Sequence, residues 1–577
     1  MVDIATFLDI GTRSLLAART ALNVTANNIA NANTPEYSRQ EVILESAPPV
    51  ATSEGMLPGG VLVREVRRHF DALLTAQVID FQSRNSRDSV LADVLSEVEV
   101  LFQDSDAGGL GTDLSRFFAA VQDLSNHPQG SAERTVLQTA ASRLADTFQS
   151  ASKAVSAVRQ GIDPEIKAMM NRLNGLVSQI GSLNLEIVKL STNTTASDLR
   201  DRRDQAIREL AELVNIKTIA YDDGGVDVLL GAGRSLVDHI GTTVEFLTAG
   251  NPNNQGMVDV QLRVPGGAIQ TVTAEITGGR LGGLLKARDT HLPAYLGQLD
   301  TLASTLVQQV NLIHTQGVGS QAAPALTSDY AVTDVNEELG TVDAGLPFSS
   351  LVQDGSFDII VYDGSGAVSV QQTLTIDKDT GGTTLASLAA VLDAVSGVSA
   401  SVDAATGKLT ITADGSNRFA FRNDTSRVLT ALGLNNLFKG STADDIALGT
   451  EVAANATLIA TGKVDASGVF SSGDNSNFLD LADLEHSRLL SSNSETFHEA
   501  YAALVGVVGN DVADASTGVQ QSEILLARLE ERRSAVSGVS VDEELSNLIR
   551  YQQTYSAAAR LIAVAQGLTD TLLEFLQ

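Results

Sequence analysis

Apolar residues at the start of the chain recur in alternating steps of four and three. Ile4, Leu8, Leu15, Ala18, Leu22 and Ile29 form the series, with Gly11 and Thr25 at its two weak positions. This heptad stripe predicts a helix that packs lengthwise against another helix. Asn27, Asn28, Asn31 and Asn33 crowd its end. Thr34-Pro35 stops it, because proline drives the preceding residue out of the helical region. The end of the chain mirrors the beginning. Leu545, Leu548, Tyr555, Ala559, Ile562, Leu573 and Leu576 share one register, with Gln552, Gln566 and Thr569 as polar members, and a second stripe runs through Leu561, Leu568, Leu572 and Phe575. Either stripe alone is compatible with an ordinary core helix. Two seams on one helix call for more than one neighbour. Two such helices at opposite ends of the chain point to termini that come together and to seams shared with other subunits.

Between the ends the period changes twice. Residues 85–215 read as long helices, with Val94, Leu95, Val98, Leu101 and Phe102 and then Leu114, Phe117, Phe118, Val121 and Leu124 on apolar faces. Asn126-His127-Pro128 breaks the pattern. Helix resumes from Leu137 to Ile162, and Asp163-Pro164 is expected to open the next one as cap and first residue. Over 216–276 the period falls to two, with Val226, Val228 and Leu230 alternating after the Asp222-Asp223-Gly224-Gly225 turn, which predicts a small antiparallel sheet. Helix returns at 279–316. Residues 320–470 are turn-rich, with strands expected at Phe357–Tyr362, Thr373–Ile376 and Lys408–Thr412 and a helix at Thr384–Val395. From about 478 the chain is helical again. The expected class is α+β multidomain. Long coiled-coil-like helical domains are formed by both chain ends, and a β-rich outer domain is inserted between them. The boundaries are 1–50 with 538–577 for the inner assembly domain, 51–319 with 478–537 for a helical domain carrying the 216–276 sheet, and 320–477 for the insert.

Composition narrows the function. The 577 residues carry a formal net charge of −31, a surface that repels phosphate backbones, so no nucleic-acid partner is expected. Eighteen acidic and seven basic residues fall in 320–470, which places that segment on the outside. No cysteine is present, which removes disulfides and thiolate chemistry. Aromatics are only 4%, so the cores rest on Leu, Val, Ile and Ala. The first apolar stretch, Ile4 to Leu16, is broken by Asp9 and Arg13 and resembles no cleaved signal peptide. No apolar run is long enough to span a bilayer.

Signals for catalysis are weak. Gly231-Ala232-Gly233 and the glycines of 278–283 complete no phosphate-loop motif and read as turn or close-packing glycines. The seven histidines are scattered. His314 stands at a helix C-terminus, where a charged ring would gain about 0.3–1 kcal/mol from the helix dipole. Adjacent acids such as Glu543-Glu544 point about 100° apart on a helix, a poor arrangement for acid–base work. Asp354-Gly355 and Asp363-Gly364 read as hairpin turns. No catalytic residue, cofactor or metal is expected.

The run Asn27-Asn28-Ile29-Ala30-Asn31-Ala32-Asn33-Thr34-Pro35-Glu36-Tyr37-Ser38-Arg39-Gln40 resembles the N-terminal signature of the flagellar rod, hook and hook-associated axial protein family. Its Asn-Thr-Pro-x-Tyr-Ser-Arg-Gln ending is similar to the hook-associated junction branch. Ser540–Tyr555 and the Ser-Ala-Ala-Ala-Arg that follows resemble the family's C-terminal helix. Asp198–Gln205 with Glu209–Val214, Gly279–Leu285, Asn311–Gly317 and Gly473–Asn475 with Leu481–Leu484 are similar to further family segments, in family order. The family usually has Gly where Glu36 stands, and Glu does not enter a left-handed conformation as Gly does, so the turn is left open.

The resemblance implies a secreted, non-enzymatic junction between hook and filament. The chain would travel unfolded through the export channel behind an uncleaved N-terminal signal. Implied partners are further copies of the chain in a ring, the hook protein, the next hook-associated junction protein, and an export chaperone on the C-terminal helix. Candidate interface residues are Leu8, Leu15, Leu22 and Ile29 with Leu548, Tyr555, Ile562 and Leu573. The motif residues Asn28, Asn31, Thr34, Pro35, Tyr37, Ser38, Arg39 and Gln40 would shape the joint beside them. The alternatives are another axial protein such as hook protein or flagellin, or a secreted adhesin or glycan hydrolase on a helical stalk.

Overall fold

The computed structural model describes residues 4–34, 36–52, 55–104, 108–190, 196–231, 233–378 and 381–575. The chain forms two compact units. One comprises Met1–Asp93, Gly161–Ala287 and Ala513–Gln577, the other Val94–Gln160 and Arg288–Val512. The expected α+β class holds, with long helices at both ends and strands in the middle.

The first unit is built on helices Ile4–Ala30, Ser197–Leu213 and Val541–Phe575, with the leading part of Ala72–Leu101. After the N-terminal helix the chain forms a hairpin in which Gln40–Ser46 pairs antiparallel with Val61–Arg68. Residues 216–276 form the expected β region as two three-stranded antiparallel sheets. Ile216–Ala220, Val226–Leu230 and Arg234–Val237 make one, and Glu245–Gly250, Val258–Arg263 and Ile269–Thr271 the other. Val226, Val228 and Leu230 are buried in alternation, as their period requires. The glycines near 280 are packing glycines. A Cβ on Gly283 would stand 2.5 Å from the carbonyl oxygen of Arg87, so only glycine lets the two backbones approach.

Asp163-Pro164 does not open a helix. It lies inside one continuous helix, Ser131–Leu190, sixty residues long. The Asp163 carboxylate accepts the backbone N–H of Val258 at 3.0 Å instead of capping, and Ile162 and Ile166 are buried on either side of it. Packing of this face outweighs the roughly 3 kcal/mol that an interior proline costs a helix. Asp354-Gly355 is no hairpin turn either. Gly355 starts a strand, and Asp354 accepts the N–H of Lys378. Asp363 does turn a hairpin, accepting the N–H groups of Ser365 and Ala367.

In the second unit Gly355–Tyr362 is the central strand between Val368–Ile376 and Arg418–Arg422. Asp358 is buried within it and accepts from Arg422 at 3.0 Å, Asn423 at 3.0 Å and Thr373 at 2.6 Å. A second sheet pairs Lys408–Ala413 with Ala325–Thr327 and Val398–Asp403, against helix Leu385–Asp393. Thr384 and Ser387 cap that helix reciprocally.

His314 corrects its expected role. It is fully buried at the end of helix Leu292–His314. Its Nδ1 meets the Asn435 carbonyl at 2.7 Å, and its Nε2 accepts the Ala460 N–H at 2.9 Å. This pair of partners selects the neutral ring protonated at Nδ1. Burial pushes its pKa down to about 4, so no charge remains for the helix dipole. Between the ordinary value of 6.5 and about 4 the unfolded chain binds the extra proton and the native chain does not. Stability from this residue is therefore present above 6.5 and lost as pH falls towards 4. In urea titrations the stability advantage of the native protein over His314→Gln should shrink by up to about 3 kcal/mol across that interval. A difference independent of pH would refute the assignment.

Candidate functional site: the paired terminal helices

Helices Ile4–Ala30 and Val541–Phe575 form the most extensive helix–helix contact among the described residues. Two contacts set their direction and register. A Cβ on Gly11 would stand 2.8 Å from Ile562 Cγ1, and Asn28 Nδ2 donates to Glu544 Oε2 at 3.1 Å. The helices are therefore antiparallel. With equal rise per residue, Ala18 lies level with Tyr555 and Thr25 level with Leu548. The N-terminal helix buries Gly11, Ala17, Ala18, Ala21, Thr25 and Asn28. Its partner half-buries Leu548, Tyr555 and Ile562 and buries Ala558 and Ala565. A column of small side chains receives a column of large ones, knob into hole.

Gly11 and Thr25, read from the sequence as weak points in the stripe, are thus its buried centre. Leu8, Leu15, Leu22 and Ile29 are each only half-buried. They flank the seam, about 40° round the helix from the small column. Further out the single chain leaves large apolar side chains in water, with Phe7 and Leu16 45% exposed, Ile549 55% and Leu568 54%. The side chain of Leu573 lies outside the described residues.

Below the seam the motif residues close into one network around Asn28. Its Nδ2 donates to the Gln40 carbonyl at 2.9 Å as well as to Glu544, and its Oδ1 accepts from the Gln40 N–H at 3.0 Å and the Tyr37 hydroxyl at 2.8 Å. Both donors and both acceptor positions of this buried amide are used. Arg39 completes the charge balance. Its Nε meets Glu544 at 2.9 Å, another of its nitrogens meets Glu543 at 3.1 Å, and its backbone N–H donates to the Ser537 carbonyl at 2.8 Å. Asn31 and Thr34 finish the helix end, with Asn31 donating to the Asn27 carbonyl and the Thr34 hydroxyl donating to Asn31. Burial first, then Asp201, Asp198 and Glu544, push the Tyr37 hydroxyl up, so it stays a donor. Pro35 lies outside the described residues.

Glu36 occupies the left-handed region with φ 68°, the conformation for which the family's usual glycine is suited. Its carboxylate is held by Arg208 and Arg533. Burial and the neighbouring Arg533 push the Arg208 pKa down to about 9, against the pull of Glu530. Ser38 bonds to Asp201 on the same Ser197–Leu213 helix. Arg68 bridges that carboxylate at 2.9 Å and Asp204 at 2.5 Å. Burial raises Asp201 to about 6 against the pull of Arg68. Two segments that looked separate in sequence, the N-terminal motif and Asp198–Val214, therefore form a single joint. Glu544, Arg68 and Arg533 belong to it; the sequence displays the Glu543-Glu544 pair and the Glu530-Glu531-Arg532-Arg533 run, which reads as a solvated, ion-paired helix face, but nothing in it marks their partners here.

Three family models match the chain: the flagellar hook-associated protein FlgK helical domain over residues 95–325, the flagella basal body rod protein over 8–37, and the flagellar basal body rod FlgEFG protein C-terminal region over 533–575. Flagellar hook-associated protein 1 of Salmonella typhimurium is 28% identical over 97% of this chain and 98% of its own length. The proteins of that name from Escherichia coli and Bacillus subtilis are each 25% identical, covering 97% and 99% of this chain and 97% and 98% of their own. The chain belongs to the flagellar hook-associated protein 1 family. The resemblance read from its two end motifs is borne out. Members of this family are structural proteins of the flagellum. The fold is also that of the flagellar hook junction protein FlgK from Burkholderia pseudomallei, with a TM-score of 0.54 and 18% identity over 80% of this chain and 100% of that one. The two rod-type matches fall on the two helices of the seam.

Two substitutions test the joint. Asn28→Asp keeps the shape but sets a carboxylate against Glu544 and the Gln40 carbonyl. It should cost about 2–4 kcal/mol and speed amide exchange along Val541–Phe575. Adding Glu544→Gln should recover part of the loss, and no recovery would remove Glu544 from the network. Glu36→Ala should destabilise by about 1–3 kcal/mol, because Arg208 and Arg533 lose this carboxylate while the strained backbone remains. Glu36→Gly should recover about 1 kcal/mol of that. Equal midpoints for the two variants would show that the left-handed backbone carries no cost.

Proposed function

We propose that the chain joins the flagellar hook to the filament by self-assembly through its terminal helices. A ring of copies would sit on the hook protein and carry the next hook-associated junction protein. The observation that supports this most directly is the two-sided seam. The small column is filled within the chain, while Leu8, Leu15, Leu22 and Ile29 stay half-open beside apolar side chains left in water. Burying one such side chain is worth about 1.5–3 kcal/mol, so a neighbour that covers the column gains substantially. Leu573 takes its place here by register alone. On this reading residues 1–50 with 538–577 form the assembly domain, 51–319 with 478–537 a mainly helical domain carrying the 216–276 sheets, and 320–477 a β-rich outer insert.

Rod-type models match only the two ends, whereas the hook-associated helical-domain model matches 95–325, which favours the junction over hook protein or flagellin. On this reading the protein acts outside the cell, after unfolded export behind an uncleaved N-terminus. An export chaperone would hold the C-terminal helix in a groove. The absence of cysteine suits that passage, since no disulfide needs making or breaking. No catalytic role is assigned.

Cells lacking the protein should carry bare hooks and shed filament subunits into the medium, as seen by electron microscopy and assay of the medium. Leu15→Glu with Leu22→Glu should give the same phenotype while the isolated chain keeps its helical circular dichroism. Normal filaments with this variant would reject the leucine column as the interface. Normal filaments without the protein would reject the junction itself.

A further inference from the structure

Three of the four arginines on helix Ser197–Leu213 meet different fates. Arg203 is buried and donates to the Gly224 carbonyl at 2.7 Å and to Asn184 at 3.2 Å. Arg208 clasps Glu36. Arg200 is half-buried, and its Nε is closed off from water with no acceptor. Among the described residues its guanidinium makes no hydrogen bond and has no carboxylate within ion-pair reach. That guanidinium lies against the backbone of Gly224. A Cβ on Gly224 would stand 2.5 Å from one of its terminal nitrogens.

Beside Arg200 opens a pocket of about 410 Å³, whose lining passes from this guanidinium to Val66, Ala76, Ile79 and Ile207. That volume is in the range of pockets that hold ligands. Asp204 lines the same pocket and acts on Arg200 only from beyond ion-pair reach, since it is paired with Arg68. A partly buried cation without a close counter-charge gains where a partner supplies one. Burial, then the nearby Arg68, push the Arg200 pKa down against the weaker pull of Asp204, which agrees with that geometry.

We infer that this pocket receives an aliphatic side chain and its adjacent carboxylate from a second copy of the chain, the carboxylate pairing with Arg200. The inference rests on the junction reading above. Charge complementarity selects the occupant, because a chain of net charge −31 offers another copy mainly acidic surface. The chain also displays the required pairing. Val342, 88% exposed, stands next to Asp343 in sequence. An apolar knob with a carboxylate at its side matches both the floor and the cation of the pocket.

The test uses the full chain in flagellated cells, with Ala220 of the pocket rim replaced by the photo-cross-linker p-benzoylphenylalanine. Illumination of purified flagella should give a covalent dimer of this chain, whose cross-link maps by mass spectrometry to a segment that pairs an acid with an aliphatic residue. Arg200→Glu in the same background should lower the dimer yield about tenfold or more, as charge reversal at a paired interface does. A cross-link to a different flagellar protein would overturn the proposal. So would absence of the dimer from flagella that contain the chain, an outcome that leaves the junction reading standing and needs no change at Arg200. Absence of the chain from purified flagella would overturn both.

Discussion

Glu544 is a carboxylate with only 2% of its surface exposed, and the rest of the terminal domain is arranged around meeting its charge. A buried carboxylate persists where hydrogen bonds and an opposite charge replace water. Here they come from Asn28 and Arg39, more than five hundred positions away in sequence. Because the Asn28 side chain is also bonded to both backbone groups of Gln40, one network fixes where the N-terminal helix ends and where the hairpin begins. It also fixes the level at which the C-terminal helix passes. The register of the seam follows. With Asn28 set against Glu544, Gly11 must lie against Ile562, and the large column of one helix enters the small column of the other.

The departure at Glu36 shows how a local misfit is absorbed by its surroundings. Holding an L-residue in the left-handed region costs about 1–2 kcal/mol. Hydrogen bonds to charged groups are each worth about 1.5–3 kcal/mol. Two partly buried arginines that need an anion are therefore enough to hold a glutamate where glycine is conformationally better suited. The substitution exchanges backbone ease for charge balance, and it ties the turn to helix Ser197–Leu213 and to Arg533 more firmly than a glycine would.

How far the fold was legible depended on the range of the interaction involved. Element type and most boundaries rest on local signals, so the break at Asn126-His127-Pro128, the capped helix after Thr384 and the alternation from Val226 to Leu230 could all be read directly. Asp163-Pro164 was misleading for the same reason. Its capping signature is genuine, but the acceptor is used by Val258, which is remote in sequence. His314 failed in the same way, because a dipole argument is local whereas its burial between Asn435 and Ala460 is not. The stripe on the N-terminal helix was recognised, but its centre was misplaced. Hydropathy weights Leu15 and Leu22 above Gly11 and Ala18, whereas close approach of two helices selects the small side chains. The ion-pair joint could not be read at all. Its members are spread from Glu36 to Glu544, among so many acids that no pairing stands out.

These misplacements bear on what the terminal helices are for. If the leucine column had been the intrachain seam, each subunit would have buried its apolar surface alone and offered little to a neighbour. With small residues in the seam, the pair gains register and close packing within the chain but only part of the hydrophobic free energy that its composition allows. The remainder lies in Leu8, Leu15, Leu22 and Ile29 and in the exposed apolar residues beyond them, which on the proposed reading another subunit would cover. Helices gain most of their stability from tertiary packing. On the proposed reading a single copy is thereby held short of full stability, while the polar network around Asn28 keeps its geometry ready for a neighbour to complete.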